Sequence, residues 1–413
     1  MGDERFDPAL IRGLTQPRLS RRDLLKYAGL GVGALSMSSI LAACGKGGGA
    51  GNGGPSSSSA AFDWASQQLH HKLNFANWPY YIDTHKGDHP SLDLFQKQTG
   101  IQVNYRVPIN DNAAFFQTLR PSLEQGKSTG WDIIVITNGA QLSQLIDNQW
   151  LIPLDLSKLP NFAKYASPTV KDPSFDPKNT FTVAWQSGIT GIAFSPQATQ
   201  ALGREPDSVA DLWNPVFKGH VGMMSDNTEL GSVGLLHIGV DPSTASETDW
   251  TAAAADLMKQ QPLVRNYYDQ SYINALENGD TWITQAWSGD VFIANQSGYP
   301  DLTFIVPKEG AMFWTDNMMI PVGAENPLDA LTYMDFVYQP KVAAMLANYI
   351  WYITPVPASK PLVAQMPGGK AVASSQLVYP DAAMQSHFRD YYVFKGQADL
   401  NAWNSIFEPI IQG

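Results

Sequence analysis

From Lys72 onward, short apolar runs alternate with amphipathic stretches of helical period, and this alternation constrains the fold more than any other feature of the chain. The segments typical of strands are 73–78, 101–107 and 131–136, and those typical of helices are 91–99 and 113–125. Strands interleaved with helices favour a largely parallel sheet. The first half of the chain is therefore predicted to be of the α/β class.

The same alternation returns in the second half of the chain. The segments are strand-like at 219–224, 281–287 and 302–306, and helical at 251–260, at 327–349 around Pro340, and at 380–411. Two α/β halves joined through extended segments form a cleft, and hinged lobes can close such a cleft on a small ligand. We predict one lobe of residues 72–184 plus 317–360 and a second lobe of residues 185–316 plus 361–413.

The N-terminus has the pattern of an export signal. The paired arginines Arg21 and Arg22 precede the mildly apolar run 27–43, as in twin-arginine signals. Leu41-Ala42-Ala43-Cys44 resembles a bacterial lipobox, in which a peptidase cuts before the cysteine and the thiol is acylated. A signal anchor is the alternative, but the run is shorter than the roughly 20 apolar residues of a membrane span. Residues 1–43 are predicted to be a signal peptide.

Residues 44–71 are predicted to be a flexible tether, since 45–60 consist almost wholly of Gly, Ser and Asn. Cys44 is the single cysteine, so a disulfide within the chain is excluded. The net charge of −11 repels nucleic acid and permits a cationic ligand. Anchor, tether and body in this order suit an exported protein at the outer face of the cell membrane or in the periplasm.

The sequence offers no assembled catalytic machinery. It contains no G-x-S-x-G elbow, no Walker loop and no H-E-x-x-H motif. His85 and His89 have a spacing that could bind a metal on a helix, but the intervening Lys-Gly-Asp favours a solvated turn. We therefore expect no enzyme activity, no metal and no cofactor.

Aromatic residues are abundant, with 12 Trp and 16 Tyr in the chain. Four of them lie near predicted strand ends, where pockets form: Trp78, Trp287, Trp314 and Tyr352. Any one of these rings could instead pack in a core. Asp316 follows Trp314 by two residues, which places a carboxylate beside a ring.

Asp226 and Glu229 follow the predicted strand at 219–224 and lie three residues apart. If Asp226 caps a helix, Glu229 falls in the first turn and both carboxylates could face one site, or the two could form only a capping box. Rings and carboxylates together bind organic ammonium groups, through cation–π attraction and charged hydrogen bonds. The same residue types also build sugar sites with paired catalytic acids, so composition leaves both possibilities open.

The order of several short motifs resembles the spermidine/putrescine-binding proteins of bacterial polyamine ABC importers. The motifs that carry this resemblance are Asn74-Phe75-Ala76-Asn77-Trp78-Pro79-Tyr80-Tyr81, Trp131-Asp132-Ile133-Ile134-Val135, Leu159-Pro160-Asn161-Phe162, Asp211-Leu212-Trp213-Asn214-Pro215, Lys218-Gly219, Pro307-Lys308-Glu309-Gly310, Phe313-Trp314-Thr315-Asp316 and Tyr379-Pro380-Asp381-Ala382. The resemblance implies the two-lobed periplasmic binding protein fold (type II) and a function in capturing a polyamine for a permease that a separate ATPase drives.

The resemblance also implies the ligand-binding residues. An aromatic box would hold the polyamine chain and a few carboxylates would hold its nitrogens, so the implied set is Trp78, Tyr81, Thr137, Asp226, Glu229, Trp287, Trp314, Asp316 and Tyr352. Three departures concern the choice of ligand. Tyr80 stands where relatives often carry an acid, Gly139 supplies no ring where relatives have a tyrosine, and a C-terminal glutamine of some relatives has no obvious counterpart.

The sequence therefore predicts a monomeric, lipid-anchored binding protein for putrescine or spermidine. Three alternatives stay open at this point. The same scaffold could bind another organic cation, such as a quaternary ammonium compound. The chain could instead be a lipid-anchored carbohydrate-active enzyme, or a sensing lipoprotein that passes its ligand to a receptor.

Overall fold

The computed structural model of the chain describes residues 62–412. Ten strands within that range form one mixed sheet. The strands are β1 (Lys72–Ala76), β2 (Gln102–Arg106), β3 (Ile133–Thr137), β4 (Thr182–Phe194), β5 (Val221–Met224), β6 (Val264–Tyr268), β7 (Ile283–Trp287), β8 (Thr303–Ile305), β9 (Ala311–Met319) and β10 (Phe388–Arg389).

The α-helices of the described part connect these strands and follow the last of them. They are α1 (Pro90–Thr99), α2 (Asn112–Leu123), α3 (Ala140–Asp147), α4 (Pro160–Tyr165), α5 (Pro196–Leu202), α6 (Asn227–His237), α7 (Glu247–Gln260), α8 (Tyr272–Glu277), α9 (Ser288–Gln296), α10 (Pro327–Phe336), α11 (Pro340–Ile350), α12 (Lys360–Val363), α13 (Gly369–Ser374), α14 (Ala382–Gln385) and α15 (Gln397–Gln412).

The sheet has parallel flanks and an antiparallel centre. Its strands follow the order β2-β1-β3-β9-β4-β7-β5-β6, with β10 paired to β9 and β8 paired to β4. β1 is parallel to β2 and β3, and β5 is parallel to β6 and β7. β4 and β9 run antiparallel to each other and to β7 and β3. The prediction of a largely parallel sheet is therefore wrong for the centre, because apolar alternation carries no information on strand direction.

The central strands β4 and β9 belong to both halves of the molecule. Val183 and Trp185 of β4 are buried in a core with β1 and β3, whereas Ile192 and Phe194 are buried in a second core with β5 and β7. The first core defines lobe one and the second core defines lobe two. Since β4 and β9 pass from one core to the other, the sheet is continuous through the hinge.

The N-terminal edge of lobe one begins earlier than predicted. Phe62 and Trp64 pack against the first core, and the Trp64 indole N–H donates to the Pro153 carbonyl oxygen at 2.8 Å. The backbone N–H of His70 donates to the Asp329 carboxylate at 2.9 Å. Residues 62–71 were predicted to be tether, and the structure corrects this, because two aromatic rings and a buried carboxylate hold the segment on the lobe.

The predicted signal peptide of residues 1–43, with Arg21 and Arg22, lies outside the described residues, and so does the predicted acylation site Cys44. Within residues 62–412, no helix combines the length and the apolar character that crossing a membrane requires.

The C-terminal segment differs from the prediction in two respects. Residues 363–379, which were predicted to belong to lobe two, pack against α11 of lobe one and against Phe292 of lobe two. The stretch 380–411 is not continuously helical, because β10 pairs with β9 and separates α14 from α15. The tertiary pairing of β10 with β9 outweighs the helical pattern of the local sequence. The two helices predicted around Pro340 are present as α10 and α11.

One buried carboxylate connects three parts of lobe one. Asp132 is 1% exposed and accepts the backbone N–H of Asn74 at 2.7 Å, the backbone N–H of Asn326 at 2.8 Å and the Asn326 side-chain amide at 2.9 Å. It therefore fixes the start of β3 to β1 and to the segment that precedes α10.

We expect Asp132→Ala to destabilise the protein by about 3 kcal/mol or more, because each buried donor left without an acceptor costs about 1–3 kcal/mol. Urea unfolding followed by circular dichroism measures this change. Asp147→Ala is the matched control, since this exposed carboxylate on α3 should contribute less than about 0.5 kcal/mol. Equal stabilities of the two variants would contradict this role of Asp132.

Candidate functional site

The first carboxylate of the site lies where β3 and β9 pair. Asp316 accepts the Thr137 hydroxyl at Oδ1, at 2.6 Å, and the Tyr81 hydroxyl at Oδ2, at 2.7 Å. The side chain is 6% exposed. Burial raises the pKa of Asp316 to about 6, against the opposing effect of the two hydroxyl donors. The structure thus brings together three of the predicted residues, with the carboxylate between two hydroxyl groups.

The second carboxylate lies in the first turn of α6, on the side of lobe two. Glu229 Oε1 accepts three donors: the Thr190 hydroxyl at 2.8 Å, the Tyr391 hydroxyl at 2.8 Å and the Trp287 indole N–H at 3.3 Å. The other oxygen, Oε2, is buried and has no hydrogen-bond partner. Two predicted residues, Glu229 and Trp287, are therefore in direct contact.

The electrostatics of Glu229 follow from this placement. Burial raises the pKa of its carboxyl to about 7, and the negative charge of Asp226 adds to the rise. The three donors on Oε1 favour the ionised form but do not outweigh burial. With a pKa of about 7, the carboxyl is partly protonated near neutral pH, and a positive group at Oε2 would favour its ionised form.

Asp226 caps α6, which is the structural role that the sequence left open for it. Its Oδ1 accepts the backbone N–H groups of Thr228 at 2.8 Å and Glu229 at 3.0 Å, and its side chain is exposed. The Glu229 side chain does not complete a capping box, since it turns to Thr190 and Tyr391 instead. Asp226 therefore serves as the N-terminal cap of α6.

Two of the predicted aromatic side chains, Trp314 and Tyr352, pack closely against glycine residues. A Cβ atom at Gly188 of β4 would overlap the Trp314 ring, and a Cβ atom at Gly289 of α9 would overlap the Tyr352 ring. The Trp314 and Tyr352 centroids are 5.3 Å apart. The absence of a side chain at these two positions is what lets both rings lie flat against the backbone.

The remaining predicted rings occupy the side of lobe one. The Tyr81 ring lies edge-on to Tyr352, with centroids 6.0 Å apart. Trp78 is half-buried, and its indole N–H donates to the Val135 carbonyl oxygen at 3.2 Å, two residues before Thr137. Tyr352 thus contacts Tyr81 and Trp314, whereas the hydrogen bond of Trp78 is to the backbone of β3.

A third carboxylate, Asp290, was missed from the sequence. The Tyr352 hydroxyl donates to its Oδ1 at 2.8 Å and the Tyr272 hydroxyl donates to its Oδ2 at 2.7 Å. Burial raises the pKa of Asp290. A signal was available, because Asp290 lies in the first turn of the helix that follows β7, as Glu229 lies in the first turn of the helix that follows β5.

Tyr391 and Thr190 were also missed. Tyr391 lies after β10 in a stretch that was predicted to be helical, and Thr190 lies in the buried strand β4, so neither shows a local signal. Tyr391 is 6% exposed and contacts Glu229 from the C-terminal segment. Tyr391 thus brings a polar group from the C-terminal segment to the site. The sequence alone had shown no counterpart there to the C-terminal glutamine of some relatives.

The other two departures lie at the edge of the site. Tyr80 is 40% exposed and has a left-handed backbone with φ of 58°, so its side chain is directed differently from that of Tyr81. Gly139 has φ of 143° and precedes α3. His85 pairs with Asp88 in a tight turn and His89 precedes α1, so the two histidines do not share a helix face.

Hydrogen bonds, together with the edge-on contact of the Tyr81 and Tyr352 rings, link the residues of the site. Asp316 binds Tyr81, Asp290 joins Tyr352 to Tyr272, and Glu229 joins Trp287 to Tyr391. Within residues 62–412, none of the three carboxylates forms an ion pair with a Lys, Arg or His side chain. Two buried carboxylates and the half-buried Asp290 thus lie among aromatic rings, without a cationic partner from the described residues.

Comparison with known proteins agrees with this geometry. Residues 129–374 match the family model described as bacterial extracellular solute-binding protein. The spermidine/putrescine-binding periplasmic protein of Salmonella typhimurium is 30% identical over 342 residues, which cover 82% of this chain and 90% of that protein. The protein of the same name from Escherichia coli K12 is 29% identical over 343 residues, with the same two coverages.

The fold comparison gives the same result. The solved spermidine/putrescine ABC transporter substrate-binding protein of Streptococcus pneumoniae superposes with a TM-score of 0.69 at 24% identity, over 83% of this chain and 98% of that chain. The predicted two-lobed α/β binding-protein fold is thus confirmed. The prediction of a protein that is not an enzyme is confirmed as well, since the matching family binds solutes. The chain belongs to the bacterial extracellular solute-binding proteins.

Proposed function

We propose that this protein captures a linear polyamine, putrescine or spermidine, in the cleft between its lobes and delivers it to the permease of an ABC importer. The relatives that bear the spermidine/putrescine-binding name support this ligand class. The observation that carries the proposal is the buried, unpartnered Oε2 of Glu229. A buried carboxylate oxygen without a donor is costly, and an ammonium N–H satisfies it.

The aromatic rings also support a polyamine ligand. An ammonium group over an aromatic face gains about 0.5–2 kcal/mol, and a charged hydrogen bond contributes about 1.5–3 kcal/mol. The methylene groups between the amines gain further from contact with Trp314 and Tyr352, at about 0.8 kcal/mol for each buried CH₂. Carboxylates that are separated along the network, such as Asp316 and Glu229, suit a ligand with separated nitrogens better than one with a single charge.

A quaternary ammonium ligand fits this site less well. It would use the ring faces but has no N–H to donate, so it would leave Glu229 Oε2 without a hydrogen bond. The buried carboxylate would then remain unsatisfied. The three carboxylates therefore favour primary and secondary amines within the class of organic cations.

The carboxylates predict how affinity responds to removal of charge. We expect Glu229→Gln and Asp316→Asn each to weaken binding of putrescine or spermidine by about 1.5–3 kcal/mol, or about ten- to a hundredfold, because a charge-assisted bond is lost. Calorimetric titration measures the dissociation constants. Asp226→Asn should have the smaller effect, since asparagine keeps the cap of α6.

The matched control for these variants is Asp93→Asn, which removes a charge from the exposed face of α1, outside the site. Its affinity should equal that of the wild type. Circular dichroism of each variant separates loss of a ligand contact from loss of fold. Wild-type affinity in both Glu229→Gln and Asp316→Asn would remove the physical basis of the proposal.

The raised pKa values predict opposite effects of pH on affinity and on stability. Cation binding requires ionised acids, so affinity should fall by at least about tenfold from about pH 7.5 to about pH 5.5, as the carboxyls with pKa of about 7 and about 6 become protonated. The free protein binds these protons more tightly when folded, so its stability should decrease as pH rises through the same window. Fluorescence titration and thermal unfolding at each pH test the two trends, and an affinity that is independent of pH would contradict the assignment.

We further infer that the protein is exported by the twin-arginine route and anchored by a lipid on Cys44, as the residues before the tether indicate. The expected site of action is the outer face of the cell membrane or the periplasm, where a permease would meet the loaded protein. The membership of an extracellular family supports export but not the route or the anchor.

Cys44→Ala should abolish labelling by a fatty-acid probe and move the protein from the membrane fraction to the soluble fraction. Replacing Arg21 and Arg22 by Lys should leave the precursor inside the cell. Persistent labelling of Cys44→Ala would show that the lipobox interpretation is incorrect, whereas normal export of the double Lys variant would exclude the twin-arginine route alone.

A further inference from the structure

Gln186 lies on the face of the hinge strand β4 that the ligand site uses. In the pairing of β4 with β9, Gln186 is opposite Asp316 and Gly188 is opposite Trp314. Side chains directly opposite in an antiparallel pair lie on the same face of the sheet, as do those two residues apart along a strand. Since the Trp314 ring lies over Gly188, the side chains of Gln186 and Asp316 share that face with the ring.

The contacts of neighbouring residues confirm this alternation. Thr190, four residues after Gln186, donates its hydroxyl to Glu229 on the same face. Ser187 lies on the opposite face, where its Oγ is 3.1 Å from Thr315 Oγ1. One face of β4 therefore carries Gln186 opposite Asp316 and Thr190 in contact with the Glu229 carboxylate, with Gly188 between them.

Gln186 is buried without a partner for its carboxamide oxygen. The residue is 2% exposed, and Oε1 accepts no hydrogen bond. Two other buried polar atoms without a partner lie around the same face, namely Glu229 Oε2 and Trp314 Nε1. A buried carboxamide with an unused acceptor is destabilising, and apolar residues of similar size would avoid this cost. These unpaired atoms are distributed along one face of β4, where a polar ligand would supply the missing partners.

Asp316 alone offers too few free acceptor positions for an ammonium group bound to it. Each of its oxygens already accepts a hydroxyl, from Thr137 and from Tyr81. A primary ammonium group carries three N–H donors, and a carboxylate that is already engaged on both oxygens cannot accept all of them in good geometry. A neutral acceptor on the same face satisfies a further N–H without adding another negative charge to the three carboxylates of the site.

We propose that Gln186 is a further ligand-binding residue, whose carboxamide oxygen accepts an N–H of the ammonium group at Asp316 and thereby selects primary amines over N-methylated ones. This inference rests on the proposed amine-binding function. It adds a specificity-determining residue from the hinge strand itself, so ligand contact at Gln186 also engages the element about which the lobes move.

The test compares wild type with Gln186→Met, which keeps the length and removes the acceptor. The probes are putrescine and its bis-trimethylammonium analogue, which has the same four-carbon spacer and no N–H donor. We expect Gln186→Met to weaken putrescine binding by about tenfold or more and to change the affinity for the analogue by less than about twofold. The melting temperature of the ligand-free variant should be unchanged or higher, because an unsatisfied group has been removed.

Gln260→Met is the matched control, since Gln260 is a buried glutamine of α7 whose Oε1 also lacks a partner, in the core of lobe two. Its Nε2 donates to the Leu212 carbonyl oxygen at 3.1 Å, so the substitution should lower stability and leave putrescine affinity unchanged. Gln186→Asn provides a second variant in case the Met variant does not fold. Asparagine withdraws the carboxamide by one methylene and should also weaken putrescine selectively.

The outcomes separate this inference from the function on which it rests. If wild type binds neither putrescine nor spermidine, the proposed function fails and the inference fails with it. If wild type binds and the folded Gln186 variants bind putrescine equally well, the function stands and Gln186 is not a ligand-binding residue. Equal losses for putrescine and its methylated analogue, with a lower melting temperature, would show that Gln186 acts only through the structure of the hinge.

Discussion

The rest of the site depends on one constraint, which is the burial of carboxylates that no positive side chain of the described residues neutralises. Asp316, Asp290 and Glu229 are each held by hydroxyl or indole donors instead. Such donors fix the position of a carboxylate but do not cancel its charge, so burial raises the pKa of all three groups. Under the proposed function, a cationic ligand would relieve this unfavourable interaction, and the same electrostatic attraction would favour closure of the lobes on the ligand.

Because the sheet is continuous, the electrostatic interaction of these carboxylates with a ligand can act on both lobes. β4 contributes to both cores and carries Gln186, Gly188 and Thr190 on one face, while β9 carries Trp314 and Asp316 opposite. The floor of the site is therefore made of the hinge strands, and only its walls come from the separate lobes. In the proposed function, a ligand on this floor would contact both central strands, and α6 and α9 supply Glu229 and Asp290 as walls.

The sequence was sufficient where chemistry follows a local pattern. Trp287 ends a predicted strand, and Asp226 and Glu229 lie shortly after another, so their convergence at one sheet edge could be expected from the α/β pattern alone. Gln186 and Tyr391 could not be found in this way, because one lies within a buried strand and the other in an irregular segment whose place depends on the pairing of β10 with β9. The antiparallel centre of the sheet escaped prediction for a related reason, since a periodic apolar pattern does not reveal which strand is the neighbour.

The central claim is that buried acids and rings select an amine with more than one N–H-bearing nitrogen. Calorimetric titration of the purified protein at about pH 7.5 with putrescine, spermidine, glycine betaine and glucose tests it most directly. The account predicts one-to-one binding of at least one of the two polyamines with a dissociation constant below about 10 μM, and no comparable binding of betaine or glucose. Binding of betaine or glucose in preference to both polyamines, or no binding of either polyamine, would contradict it.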